Sequence, residues 1–228
     1  MLEPHPESLG PETHATRTAD QAPPSPPDML LIERARGRDP RACEAIMQRY
    51  NLRLFRIARS ILPSAQAAAE LLEDTYLIAF SDLEHYGPDG KLGAWLGRLA
   101  FTQAVSSRRK TATPGKPPAA TATSGPSTNG AGEAAAEGAR SLERAIDGLP
   151  EVFRTVFVLR VVEGISGTET AACLGVHETT VRTRLYRAQR RLSAGIPAKV
   201  SAERNSIFEL SEAQSARIIS GVFARLAG

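Results

Sequence analysis

Aromatic side chains are scarce in this chain: Phe, Trp and Tyr together make up 5% of its 228 residues, and there is a single Trp. Sandwiches of β-strands draw on aromatic and β-branched residues, so this composition favours helices packed through Leu, Ile, Val and Ala. Cysteine is nearly absent as well. Cys43 and Cys173 stand far apart, too few for a disulfide framework, and a reducing cytosol is the natural setting for them. No run of roughly 18 apolar residues occurs, which argues against a membrane span. The N-terminus lacks the basic-then-apolar pattern of a secretory signal. The expected location is therefore cytoplasmic, without membrane insertion. A strong net charge is lacking too: the formal total is only +3. Its distribution says more, because Arg182, Arg184, Arg187, Arg190 and Arg191 crowd one short stretch that holds no acid.

Residues 1–28 read as a disordered tail, since Gln21-Ala-Pro-Pro-Ser-Pro-Pro27 can form neither a helix nor a central strand. From residue 29 to 110 the pattern is helical. Asp39-Pro40 is a helix start, followed by Ile46, Tyr50, Leu54, Ile57 and Ile61 on one buried face. Pro63-Ser64 breaks that helix and begins another, in which Leu71, Leu72, Thr75, Tyr76, Ala79 and Phe80 share a face. Gly87-Pro88-Asp89-Gly90 signals a turn, and a further helix spans Leu92 to Arg109. Residues 111–139 are Ala, Thr, Gly, Pro and Ser with almost no large apolar side chain, the composition of a flexible linker. A second helical domain is expected over 140–196, with helices at Leu142–Asp147, Glu151–Glu163, Gly167–Leu174 and His177–Ser193. Residues 197–228 form a C-terminal extension with an amphipathic helix from Ser211, whose apolar side carries Ile218, Ile219, Val222, Phe223 and Leu226. The fold class is all-α: two small helical domains joined by the linker.

The chemistry concentrates in Ile165-Ser-Gly-Thr-Glu-Thr-Ala-Ala-Cys-Leu-Gly-Val-His-Glu-Thr-Thr-Val-Arg-Thr-Arg-Leu185. Ala171 and Ala172 offer a small surface for a crossing helix, Leu174-Gly175-Val176 is a tight turn, and Val181 and Leu185 anchor the helix that follows. This is the pattern of a helix-turn-helix, whose second helix enters the DNA major groove. Arg182, Thr183, Tyr186 and Arg187 then face outward, where Arg can pair with guanine and Thr can reach base edges; Thr179 and Thr180 sit at the start of the same helix. Arg184, Arg190 and Arg191 suit phosphates. Other chemistries find little support. Cys173 and His177 straddle the turn without further ligands, so no metal site is expected. Glu73 and Asp74 diverge on a helix and lack a nucleophile or His beside them, and no glycine loop cradles phosphate. No catalytic residue and no cofactor are expected, and the chain reads as a non-enzyme.

The stretch Leu149-Pro-Glu-Val-Phe-Arg-Thr-Val-Phe-Val-Leu-Arg-Val-Val-Glu-Gly164, running into the helix-turn-helix, resembles region 4 of the extracytoplasmic-function (ECF) sigma factors of RNA polymerase, in the sigma-70 family. Upstream, Asp39 to Tyr50, Ala69-Glu-Leu-Leu-Glu-Asp-Thr-Tyr-Leu-Ile-Ala-Phe80 and Ala94-Trp-Leu-Gly-Arg-Leu-Ala100 resemble region 2. The resemblance implies that region 2 binds core polymerase around Leu71, Leu72, Glu73, Asp74 and Tyr76 and captures the −10 promoter element. It implies that region 4 reads the −35 element through Arg182, Thr183, Tyr186 and Arg187. It also implies an anti-sigma factor as regulator, and a monomer within the holoenzyme. Such promoter elements lie on the order of 60 Å apart, a span that an extended linker covers and a compact body does not. The chain departs from the family at Thr102 and Ser106, where Asn and Asp are usual, which keeps open a sigma-like adaptor that does not melt promoters. A plain helix-turn-helix regulator is the other alternative. The tail from Ile207 to Leu226 resembles an extension found in some members, and it is expected to pack on region 4 or on a regulator.

Overall fold

The computed structural model describes residues 26–87, 91–111, 130–193 and 195–227, and every regular element among them is helical. Nearly all of the expected tail, the turn at residues 88–90 and most of the expected linker lie outside the described residues. Helix α1 spans Asp28–Arg36, α2 Pro40–Arg59, α3 Ala65–Ser81 and α4 Leu92–Thr111. The start of α2 follows from the sequence: the Asp39 side chain accepts the Arg41 N–H, and Pro40 needs no donor in the first turn. Ser64 caps α3 in the same way through the Ala67 N–H. Packing of α2, α3 and α4 encloses Phe55, Leu72, Tyr76 and Leu96. α1 is tied on by Asp28, which accepts from Tyr50 at 2.6 Å and from Arg49 at 2.5 Å. The short turn at Leu83–His85 is fastened by Arg36, which donates to the Leu83 and Tyr86 carbonyls at 3.1 and 2.8 Å.

The second unit begins earlier than expected. Helix α5 spans Gly130–Asp147, so its first turns fall inside the stretch read as linker. Ala-rich segments are good helix formers even without an apolar face, and composition alone understated this one. Helix α6 (Glu151–Phe157) also departs from expectation, since it gives way to a wider π turn at Val158–Val162 instead of continuing to Glu163. The run Thr155, Val156, Phe157, Val158 and Leu159 is buried all round, which no single helix face can satisfy; neighbours on several sides enclose it. Helix α7 (Gly167–Leu174) is capped by Ser166, and Gly175 turns the chain at φ +64° into α8 (Glu178–Arg191). An L side chain there meets the left-handed penalty, so Gly175→Ala is expected to cost about 1–2 kcal/mol in a urea melt. Helix α9 (Ile196–Ala202) follows, then a short 3-10 turn at Arg204–Ser206, then α10 (Glu212–Leu226). Both turns of a reciprocal cap are present at Ser211 and Gln214.

The two units pack directly on one another, and their buried side chains form one continuous cluster. α4 lies against α7, and α2 against the π turn. Gly97 on α4 allows this approach: a Cβ there would lie 2.8 Å from the Cys173 sulfur. Around the contact, arginines of the first unit pair with acids of the second. Arg59 meets Asp147 at 2.7 Å, Arg108 meets Glu151 at 2.6 Å, and Arg53 meets Glu169 at 3.2 Å. Arg56 is almost wholly buried and meets Glu163 at 2.7 Å. The sequence pattern anticipated two bodies held apart by a linker; the structure brings them together, in a closed form.

Burial of Cys173 at this contact pushes its thiol up to about 12, against the smaller lowering pull of Arg53. Opening would relieve that burial, so the closed form holds the thiol proton more tightly than an open one. That contribution to closure is intact below the ordinary value and is lost as pH rises toward 12. Inter-domain energy transfer should therefore fall more steeply with rising pH in the alkaline range for the native chain than for Cys173→Ala.

Candidate nucleic-acid interface and partner face

Helix α8 presents its charged side to solvent. Val181 and Ala188 are buried against α6 and α7, and Leu185 is half-buried beside them, as their spacing implied. Thr179, Arg182, Thr183, Tyr186, Arg187 and Arg190 are exposed, whereas Thr180 and Arg184 are partly covered. Tyr186 stands out at 59% exposure. The Thr183 hydroxyl donates to the Thr179 carbonyl at 2.9 Å, an internal bond that competes with a base contact. The Arg190 guanidinium lies 5.8 Å from the Tyr186 ring and that of Arg191 lies 5.3 Å from Phe153. Among the described residues Arg182, Arg184 and Arg187 make no ion pair or hydrogen bond through their side chains. Among the described residues, Arg34, Arg49, Arg53, Arg56 and Arg59 by contrast each meet a carboxylate. Guanidinium groups left unpaired on one side of a helix are available to phosphates and guanine edges. The second unit docks on the first through α7 and the π turn, so closure leaves this side of α8 uncovered.

The other face of interest lies on α3. Leu72 and Tyr76 point into the core, and Leu71 is nearly as enclosed; Tyr76 donates to the Met47 carbonyl at 3.4 Å and stacks on Phe80. These three are enclosed in the closed form, in which α10 packs on α3. Hydrophobic spacing marks a face, and here it marked the inner one. Asp74 is exposed and Glu73 partly so. Both meet the C-terminal helix. Arg225 of α10 pairs with Asp74 at 2.7 Å, and Gly221 comes so near that a Cβ there would lie 2.7 Å from the Glu73 carboxyl carbon. α10 therefore packs on α3 and α2 of the first unit, whereas the second unit or a regulator was the expected neighbour. Its apolar stripe was legible; the partner was not, because two helical bundles offer equivalent apolar grooves. Ile218 and Val222 are the buried anchors, Ile219 and Phe223 are half-buried, and Leu226 is exposed. Thr102 and Ser106 are exposed on α4.

Comparison with known families is decisive at this point. The model for Sigma-70 region 2 matches residues 46–113, and that for Sigma-70 region 4 matches residues 139–192. The ECF RNA polymerase sigma factor SigM of Mycobacterium tuberculosis is 30% identical over 170 residues, covering 72% of this chain and 81% of the relative. The chain belongs to the ECF sigma factors. The RNA polymerase sigma-H factor of Pseudomonas aeruginosa is similar as well, 27% identical over 175 residues, or 71% of this chain and 90% of the relative. Among solved structures, CnrH in complex with the cytosolic domain of CnrY resembles this sigma factor with a TM-score of 0.56 and 26% identity, over 75% of this chain and 97% of CnrH. The first unit of the sigma factor thus carries region 2 and the second carries region 4. The protein recognises promoters for RNA polymerase. Among its described residues no helix is long and apolar enough to cross a membrane, and no group of His, Cys, Asp and Glu could hold a metal ion.

Proposed function

We propose that residues 29–110 bind core polymerase and the −10 element, that residues 140–196 bind the −35 element, and that Glu73 and Asp74 on α3 belong to the polymerase face. The observation that supports this division most strongly is the set of exposed, unpaired arginines on α8, which the docked first unit leaves uncovered. In this reading Arg182, Tyr186 and Arg187 read base edges, with Thr179, Thr180 and Thr183 beside them. Arg184, Arg190 and Arg191 hold phosphates and set the register. Leu71, Leu72 and Tyr76 give α3 its shape. The protein does no covalent chemistry of its own; it supplies recognition, and polymerase supplies catalysis. It acts on polymerase in the cytoplasm. An anti-sigma factor is the expected regulatory partner, and the holoenzyme holds one copy.

Holoenzyme assembly tests the division. Asp74→Lys is expected to weaken binding to purified core polymerase about tenfold, since it places like charge where an acid is read. Arg182→Ala with Arg187→Ala should leave that binding unchanged while removing promoter recognition. Equal polymerase affinity for Asp74→Lys and the native chain would contradict the assignment of α3.

A further inference from the structure

The C-terminal segment is built into both domains at once. From α9, which packs on α5 and the π turn, the chain runs through residues 204–208 between the domains and ends in α10 on the face of region 2. Arg56 of α2 grips this strap: it donates to the carbonyls of Arg204 at 2.7 Å, Asn205 at 3.1 Å and Ile207 at 2.9 Å. Glu143 of region 4 accepts the Phe208 N–H at 2.6 Å, and the Arg59 guanidinium lies 4.8 Å from the Phe208 ring. Phe208 is buried with φ +47°, a conformation that a non-glycine residue keeps only where its surroundings impose it. Beyond the strap, Asn51 of α2 donates to the Ser215 hydroxyl at 2.8 Å, Ile218 and Val222 are buried, and Arg225 reaches Asp74.

From these contacts we infer that α10 is an internal competitor for the polymerase: the groove between α2 and α3 takes an amphipathic helix, and in the free protein the chain's own C-terminal helix fills it. The inference rests on the reading of α3 as a polymerase face. The occupant is settled by complementarity. The apolar anchors of α10 enter the groove, its Gly221 admits the Glu73 carboxylate, and its Arg225 meets the acid proposed to face polymerase. A partner that needs Glu73 and Asp74 must first lift α10. The strap then makes release cooperative, because the segment that leads into α10 is the one clamped by Arg56 and Glu143 between the two domains. Lifting α10 pulls on the same junction that holds region 4 against region 2. Polymerase binding and domain opening thus become linked events, and affinity for polymerase is lowered by the fraction of molecules that are closed.

The test compares core-polymerase affinity of the full chain with that of full-length Ile218→Glu/Val222→Glu, in which the buried anchors are replaced by charge. A second variant, Ser220→Pro, breaks α10 at an exposed position and leaves every residue of region 2 unchanged. Both are expected to bind roughly tenfold tighter or more. Hydrogen exchange on the native chain adds an independent readout: α10 amides should be protected in the free protein and lose that protection in the holoenzyme. Unchanged affinity in both variants, or α10 amides that stay protected in the holoenzyme, would overturn the inference. Asp74→Lys in the Ser220→Pro background separates this from failure of the underlying reading. If it weakens binding while Ser220→Pro alone does not strengthen it, only the competitor is lost; if it has no effect, the polymerase face lies elsewhere.

Discussion

Replacing Arg56 with Ala should release region 4 from region 2 and expose Cys173 to thiol reagents. The Arg56 side chain is 5% exposed and that of its partner Glu163 10% exposed, so solvent screens the pair little. Its guanidinium also satisfies the carbonyls of Arg204, Asn205 and Ile207. Truncation would leave those groups and a carboxylate enclosed with too few partners, Arg53 reaching Glu163 only at 3.7 Å. In the open form the same groups regain water. Removing one partner of a buried pair costs about 3–5 kcal/mol, a factor of hundreds to thousands in the closing equilibrium. Cys173, at 2% exposure beneath Gly97, reports opening by its rate of alkylation at neutral pH. Cys43 is buried within region 2 and serves as the internal control. A large rise for Cys173 with none for Cys43 is the expected result. Unchanged alkylation of Cys173 would mean that other contacts, among them Arg59 with Asp147 and Arg108 with Glu151, suffice to hold the domains.

A comparable loss is expected from Arg182→Ala combined with Arg187→Ala, in promoter discrimination and not in domain closure. A good Arg–guanine pair contributes about 1–3 kcal/mol of discrimination, so the double substitution should lower preference for the cognate −35 duplex over a scrambled one by roughly 100-fold or more. Arg190→Ala and Arg191→Ala should behave differently. They would weaken binding to both duplexes alike and reduce the salt dependence by about one unit of slope each. Fluorescence anisotropy on the two duplexes at several salt concentrations distinguishes these roles. Equal loss on both sequences from the Arg182/Arg187 double would show that those side chains hold phosphates.

The elements that local chemistry specifies were legible in the sequence. Asp39-Pro40, Ser64 and Ser211 announce helix starts, and Gly175 with Val181 announces the second helix of the helix-turn-helix. What escaped was whatever depends on how two bundles meet. Nothing in the local sequence around Arg53, Arg56 and Arg59 points to their acidic partners, which stand 88 to 116 positions away in the chain. The small size of Gly97 gave no hint that Cys173 would lie against it. α10 declared an apolar face without declaring which groove it fills, and the neighbouring Glu73 and Asp74 looked free. On α3 the spacing of Leu71, Leu72 and Tyr76 marks side chains that are buried in the closed form, while Asp74 beside them is exposed.

Run-off transcription with purified core polymerase on a promoter library tests the account most directly, using the native chain and the Ser220→Pro variant. The expected result is a set of transcripts that require the protein, share −35 and −10 sequences, vanish with Arg182→Ala/Arg187→Ala, and are more abundant with Ser220→Pro. Absence of any protein-dependent transcript from both chains, each folded and bound to polymerase, would contradict it.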